Sequence, residues 1–580
     1  MGSRFLFGLV ILSCANAVGQ TAATSHLHHE SETKFRELPS PPLMQGIGEA
    51  SLKITTASPQ AQAYFDQGLK LLHCFWDFEA YRAFKEAARL DPSAAMAYWG
   101  EFEALGFEGR SGPMKEDQKA ALDKAKSLAG KASEHEQFYI RAAEHQHKGD
   151  DPKERSAYQR EMEALIDRYP DDLNAQALLA LGVMGGYETD GHPREGELYS
   201  QAILRNVLAA HPDNAAANHY WIHAVEDSSR PEGALQSADA LGRLAPNSGH
   251  MVHMPGHIYW RVGDYERARL SFVAALRVDE AYMANQHIRP EEDWNYAHNL
   301  AYLIAACAEA GRYHEGLEWA QKLRGIPAPE WMTSARFVVW AGGSVVRVHI
   351  RFGDWPAVTG EGIEFGRDGT SVGPAAKAYA EGIRYYAEGM TAVERGDAAE
   401  ASKQSEALDA LLWRLSASKP KEEEKEKDKD NDSDQKPGQE NPSQVLDLLG
   451  TMSLDLRGNA KSVLGQWEEA LKLIQKAIEK EKDLGYSEPP QYYRPEQESL
   501  GFAYLRTHQW EKARDAFTQA LSERPKSGHA LYGIAQSYAL AGDAPQAVQA
   551  YQDFLAEWPH ADEDLPQVKQ AKAWLAAHGQ

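Results

Sequence analysis

Two histidine pairs with helical spacing stand one period apart in this chain. His219 and His223 recur 34 residues later as His253 and His257. Side chains at i and i+4 share one face of a helix, so each pair can offer two imidazoles to one ion. A carboxylate one turn further on completes such a set, and His219-x-x-x-His223-x-x-Glu226 has that form. His250 precedes His253 by three residues and supplies a further ligand. Neutral imidazoles with a carboxylate suit zinc, copper, iron or nickel, and spacing does not choose among them. Two other readings stay open. The residues could line a groove for a peptide or small polar ligand, with Asn218, Asn295 and Asn299 giving hydrogen bonds and Tyr220, Trp221, Tyr259 and Trp260 giving apolar surface. They could also be structural histidines that satisfy one another after a duplication. Met251, Met254 and Met283 lie near the pairs and read as core.

The elements that must position these residues are helical. The period runs past the histidines, with Pro212 followed by Pro246 and Ala234 by Ala268. A period of this length is the mark of the tetratricopeptide helix–turn–helix repeat, and residues 55–575 resemble that family. Small and large residues fall at its consensus positions at Gly68, Leu71, Ala80, Phe84, Ala87 and Pro92, at Gly256, Tyr259, Ala268 and Phe272, and at Gly501, Tyr504, Ala513 and Phe517. The expected fold is all-α: a tetratricopeptide α-solenoid, a right-handed superhelix of antiparallel helix pairs. The resemblance implies that His219, His223, Glu226, His253 and His257 face the concave groove in which this family holds peptide or protein partners. It places His298 of the following repeat in the same groove. The block HMPGHIYWRVGDY, with NHYWIHAVED and EPPQYYRPEQESLG, is similar to a group of exported bacterial tetratricopeptide proteins, which implies an envelope location and supplies no activity.

Composition limits the alternatives. A formal net charge of −24 argues against nucleic acid and anionic membrane surfaces, which need a basic footprint. Arg4, the apolar run Phe5–Ser13 and Ala15-Asn16-Ala17 read as an export signal over residues 1–17, followed by a periplasmic or surface location. A lipid anchor on Cys14 is the lesser alternative. No other run is apolar enough to span a bilayer. Residues 18–54 show no period and read as a flexible N-terminal segment in which His26, His28 and His29 are solvated. Residues 419–442 carry six lysines and nine acidic residues without apolar content and read as a disordered linker. It separates a block at 55–418 from one at 443–575. Cys74 and Cys307 read as small buried helix residues. Glu488-Pro489-Pro490 is a rigid stretch that could reach across the groove. No nucleophile elbow, phosphate loop, dinucleotide fingerprint or HExxH is present. The sequence therefore points to an exported binding protein with a His-rich transition-metal site. An envelope protein–protein scaffold without metal is the alternative. A metal-dependent oxidase or hydrolase, with Glu226 or Glu488 as base, is a further one.

Overall fold

A computed structural model describes residues 39–106, 113–146, 151–188, 190–327, 341–363, 374–417, 443–485, 487–492 and 494–578. The expected export signal, His26, His28, His29, the charged run at 419–442 and Tyr493 lie outside the described residues. Among those described there are 25 α-helices and one isolated bridge, Tyr187 to Pro193. Nine helices build and brace the histidine-rich centre: α1 (Pro59–His73), α2 (Asp77–Leu90), α3 (Ala215–Glu226), α4 (Gly249–Arg261), α5 (Tyr265–Gln286), α6 (Trp294–Glu309), α7 (Ser344–Phe352), α8 (Glu496–Arg506) and α9 (Gly528–Ala541).

Pairing of helices rests on a small residue facing a ring. A Cβ added at Gly68 would lie 2.6 Å from the Phe84 ring, one at Gly256 2.4 Å from Phe272, and one at Gly501 2.7 Å from Phe517. The absent side chain lets the two helices of a repeat close up, and the aromatic fills the space between them. Cys74 and Cys307 are buried free thiols in this packing.

Two caps set where the site helices begin. The Asn214 side chain accepts from the amide of Ala217 at the start of α3, and Asp293 accepts from Asn295 and Tyr296 at the start of α6. α4 starts at Gly249, where a Cβ would stand 1.7 Å from the Asp279 carboxylate of α5. Asn295 and Asn299 of α6 also donate to Asp279. One buried carboxylate thus locks the starts of the two helices that carry His250 and His298.

The C-terminal helices pack back onto the centre of the array. Arg351 of α7 donates to Glu309 of α6 at 2.8 Å and to Glu498 of α8 at 2.7 Å, and Arg524 donates to Glu309 at 2.8 Å. Trp558 Nε1 donates to the Glu309 carbonyl and His529 of α9 to the Ala308 carbonyl. At the other end, residues 39–57 run without helix across the front of α1. Ile47, Leu52 and Ile54 are buried there, so the part of residues 18–54 that is described is seated on the fold.

Candidate metal centre

The histidines gather into two adjacent triads. His219 and His223 leave α3 one turn apart and His250 leaves the start of α4. His219 Nε2 lies 3.1 Å from Nε2 of His223 and 3.1 Å from Nε2 of His250. His253 and His257 of α4 bring their Nε2 atoms to 2.5 Å. His298 of α6 joins them, its ring 4.7 Å from that of His253. In each triad one donor atom per residue lies within 4.8 Å of the others.

Outer hydrogen bonds fix which nitrogen three of the rings, His219, His223 and His257, turn inward. His219 Nδ1–H donates to the carbonyl oxygen of His73 at 2.7 Å. The two oxygens of Glu226 are divided between the triads: Oε1 accepts from His223 Nδ1–H at 2.8 Å and Oε2 from His257 Nδ1–H at 2.6 Å. A carbonyl or carboxylate can only accept, so each of these three Nδ1 atoms carries a proton and Nε2 is the atom turned toward the triad. Burial opposes ionisation of Glu226, but His257 and His223 with their hydrogen bonds outweigh it and hold the carboxyl well below the usual range. Burial, then the neighbouring rings, push His219 and His250 well below the ordinary imidazole value. Those rings are neutral at pH 7, the form that binds metal.

Aromatic rings close around the histidines. The Phe75 ring stands 4.5 Å from His219 and 5.3 Å from His223. Phe272 stands 4.9 Å from His253 and Tyr302 4.4 Å from His257. Glu488 stands beside the second triad, its Oε2 3.7 Å from His257 Nδ1. Arg347 holds the following stretch by donating to the Pro490 carbonyl at 2.7 Å.

All seven candidate ligands, His219, His223, Glu226, His253, His257, His250 and His298, are brought together, with one difference in role. Glu226 faces Nδ1 atoms and links the triads from behind. The histidines are also enclosed where an open concave groove was expected: His219 and His253 have no exposed surface. Asn218 turns away to the carbonyls of Pro212 and Asn214, while Asn295 and Asn299 serve Asp279. Met251, Met254 and Met283 are buried. Spacing gives no sign of Phe75, Tyr302 or the His73 carbonyl as parts of the site. They come from other repeats and contribute a ring face or a backbone atom that no motif encodes.

With fold and site in view, residues 499–562 match the tetratricopeptide repeat family. The same helix-pair construction extends over the described chain, whose fold is a tetratricopeptide α-solenoid. No curated protein sequence matches the chain. Similar solved structures include the Cut9–Hcn1 hetero-tetramer of APC/C, at 14% identity over 88% of this chain and 76% of that chain with a TM-score of 0.28. The human IFIT1 dimer with m7Gppp-AAAA has 11% identity over 85% and 94% with a TM-score of 0.29. Yeast Tom70 has 13% identity over 89% and 96% with a TM-score of 0.26. No helix of the described residues is long and apolar enough to cross a membrane.

Proposed function

We propose that this chain is an exported tetratricopeptide protein that holds transition-metal ions in its two histidine triads. The observation that carries the reading is the facing pair His219 and His223. Their Nδ1–H groups are committed outward to the His73 carbonyl and to Glu226, and their Nε2 atoms turn inward 3.1 Å apart, with Nε2 of His250 3.1 Å from that of His219. Three ring nitrogens so gathered among buried side chains are a donor set for a cation. Burial opposes protonation of His219 and His250, and a neutral imidazole nitrogen is the form that binds a metal ion. His219, His223 and His250 would hold one ion and His253, His257 and His298 another, as borderline-soft nitrogen sites for zinc, copper, iron or nickel. A bound ion would supply Lewis acidity and a polarised water or substrate oxygen. Glu226, His257 and Glu488 form another donor group. It is disfavoured because each Glu226 oxygen already accepts a ring N–H.

Three imidazoles per ion leave coordination positions over. That count supports metal-dependent oxidase or hydrolase chemistry as the second reading. Export rests on the sequence pattern of residues 1–17.

Elemental analysis of the full chain tests the proposal, beside the variant His219→Ala, His223→Ala, His253→Ala, His257→Ala. One ion per triad in the parent, lost in the variant, supports the reading. No uptake by the parent after loading with zinc, copper, iron and nickel leaves the metal-free scaffold.

A further inference from the structure

The turns that come after the second helix of each pair lie along one edge of the solenoid, and residues 44–57 run over five of them in succession. Thr56 Oγ1 donates to Asp91 at 2.5 Å, just past α2. The Thr55 amide donates to Glu136 at 2.8 Å. Asn174 Nδ2 donates to the Ser51 carbonyl at 2.9 Å. Gly48 has so little room that an added Cβ would be 3.3 Å from that of Ala215. Asn247 donates its amide to the Gly46 carbonyl and its Nδ2 to the Gln45 carbonyl, both at 2.8 Å. The arm therefore descends in number as the repeats ascend. At about 3.3 Å per residue the stretch Gly46–Thr56 reaches roughly 33 Å, and four steps between packed helices at about 8–10 Å cover a similar length.

The other side of the arm is held by α1. Gln67 accepts from the Met44 amide at 2.7 Å, Asp66 from Leu52 at 3.2 Å and Gln62 from Ile54 at 3.0 Å, and Gln62 also donates back to the Leu52 carbonyl. Leu52 and Ile54 point inward while Lys53 and Thr55 point out. Side chains that read main-chain N–H and C=O groups, with sockets for alternate apolar residues, are how an extended peptide is recognised.

The upper end of the arm reaches the first triad. Cys74 Sγ donates to the Ile47 carbonyl at 3.4 Å. Cys74 lies between His73, whose carbonyl orients His219, and Phe75, whose ring covers His219 and His223. Asn247 lies three residues before His250.

We propose that this turn edge is a binding track for an extended peptide, that the chain's own residues 44–57 occupy it, and that their seating sets the geometry of the His219–His223–His250 triad. The last part rests on the metal reading of the triads; the first two do not.

The test uses the full chain carrying His253→Ala and His257→Ala, so that zinc reports on the first triad alone. In that background Ile47→Asp with Leu52→Asp unseats the arm. Amide hydrogen exchange should show Met44, Leu52, Ile54 and Thr55 protected in the parent and unprotected in the variant. Zinc affinity should fall about 10- to 100-fold, as when a group orienting a ligand is lost. A synthetic peptide of residues 39–57 added to the variant should restore both. If the charged variant fails to fold by circular dichroism, Asn174→Ala with Asn247→Ala removes the track's donors without burying charge. Arm amides that exchange freely in the parent, or a peptide that neither binds nor protects, overturn the track. An unseated arm with unchanged zinc affinity overturns the coupling. A parent that binds no zinc refutes the metal reading and with it the coupling, while the exchange and peptide results still decide the track.

Discussion

Arg351 and Glu498 meet at 2.7 Å across the joint between α7 and α8, both buried. The same guanidinium reaches Glu309, to which Arg524 also donates. Two guanidiniums and two carboxylates thus neutralise one another out of water. Replacing Arg351 by methionine keeps the volume and leaves Glu309 and Glu498 short of a countercharge, which should cost about 3–5 kcal/mol. Chemical denaturation with matched m-values measures it. The pH dependence has a definite sign. Burial favours protonation of Glu309, but Arg351 and Arg524 overcome it and hold the carboxyl well below the usual range; Arg351 does the same for Glu498. Their folded values lie below the unfolded value near 4.3. The stabilisation is then fully present above about pH 4.3 and lost as the pH falls toward the depressed values. Melting temperatures taken between neutrality and pH 3 should show that acid limb in the parent and a flattened one in Arg351→Met.

Glu226 is the single residue common to both triads. Glu226→Gln keeps one acceptor oxygen and turns an NH2 group toward the other ring, so one imidazole loses its orienting partner and can adopt the wrong tautomer. Zinc affinity at that triad should weaken about 10- to 100-fold. Titration calorimetry should resolve two classes of site where the parent shows near-equivalent ones. Parent-like affinity at both triads would mean the carboxylate does not orient them.

Gly256 precedes His257 and faces the Phe272 ring, which in turn packs on His253. A methyl group there forces the ring away. Gly256→Ala should destabilise the chain by about 1–3 kcal/mol, the usual cost of overpacking, and perturb the second triad while sparing the first. Gly501→Ala, whose added methyl meets Phe517 and not a ring that packs on a triad histidine, is the control. It should show a similar loss of stability with metal binding intact.

Gly68, Gly256 and Gly501 show why the fold is legible in the sequence. Each stands a fixed sixteen residues before the ring it meets, at Phe84, Phe272 and Phe517, so local spacing encodes the helix pair. The histidine pairs are legible for the same reason. Their division into triads is not. The third member of each set, His250 or His298, is delivered by stacking one repeat on the next, and no period along the chain fixes that rotation. Glu488 shows the same limit: its rigid Pro-Pro stretch is visible, but its place near His257 depends on α7 and the C-terminal helices folding back. The arm is least visible of all. Its only local sign is the alternation at Leu52 and Ile54, and the amide and carboxylate groups that hold it are scattered from Gln62 to Asn247.

The bond from Asn247 to the Gln45 carbonyl joins positions 202 apart in sequence. In a plain solenoid each repeat touches only its neighbours, so ends can fray and the array can lose structure one unit at a time. A segment stitched across five turns removes that freedom. Releasing any one of those turns means tearing the arm from the rest, and the first half of the chain should melt as a single cooperative block, slower to assemble than an array of its size built from neighbour contacts alone.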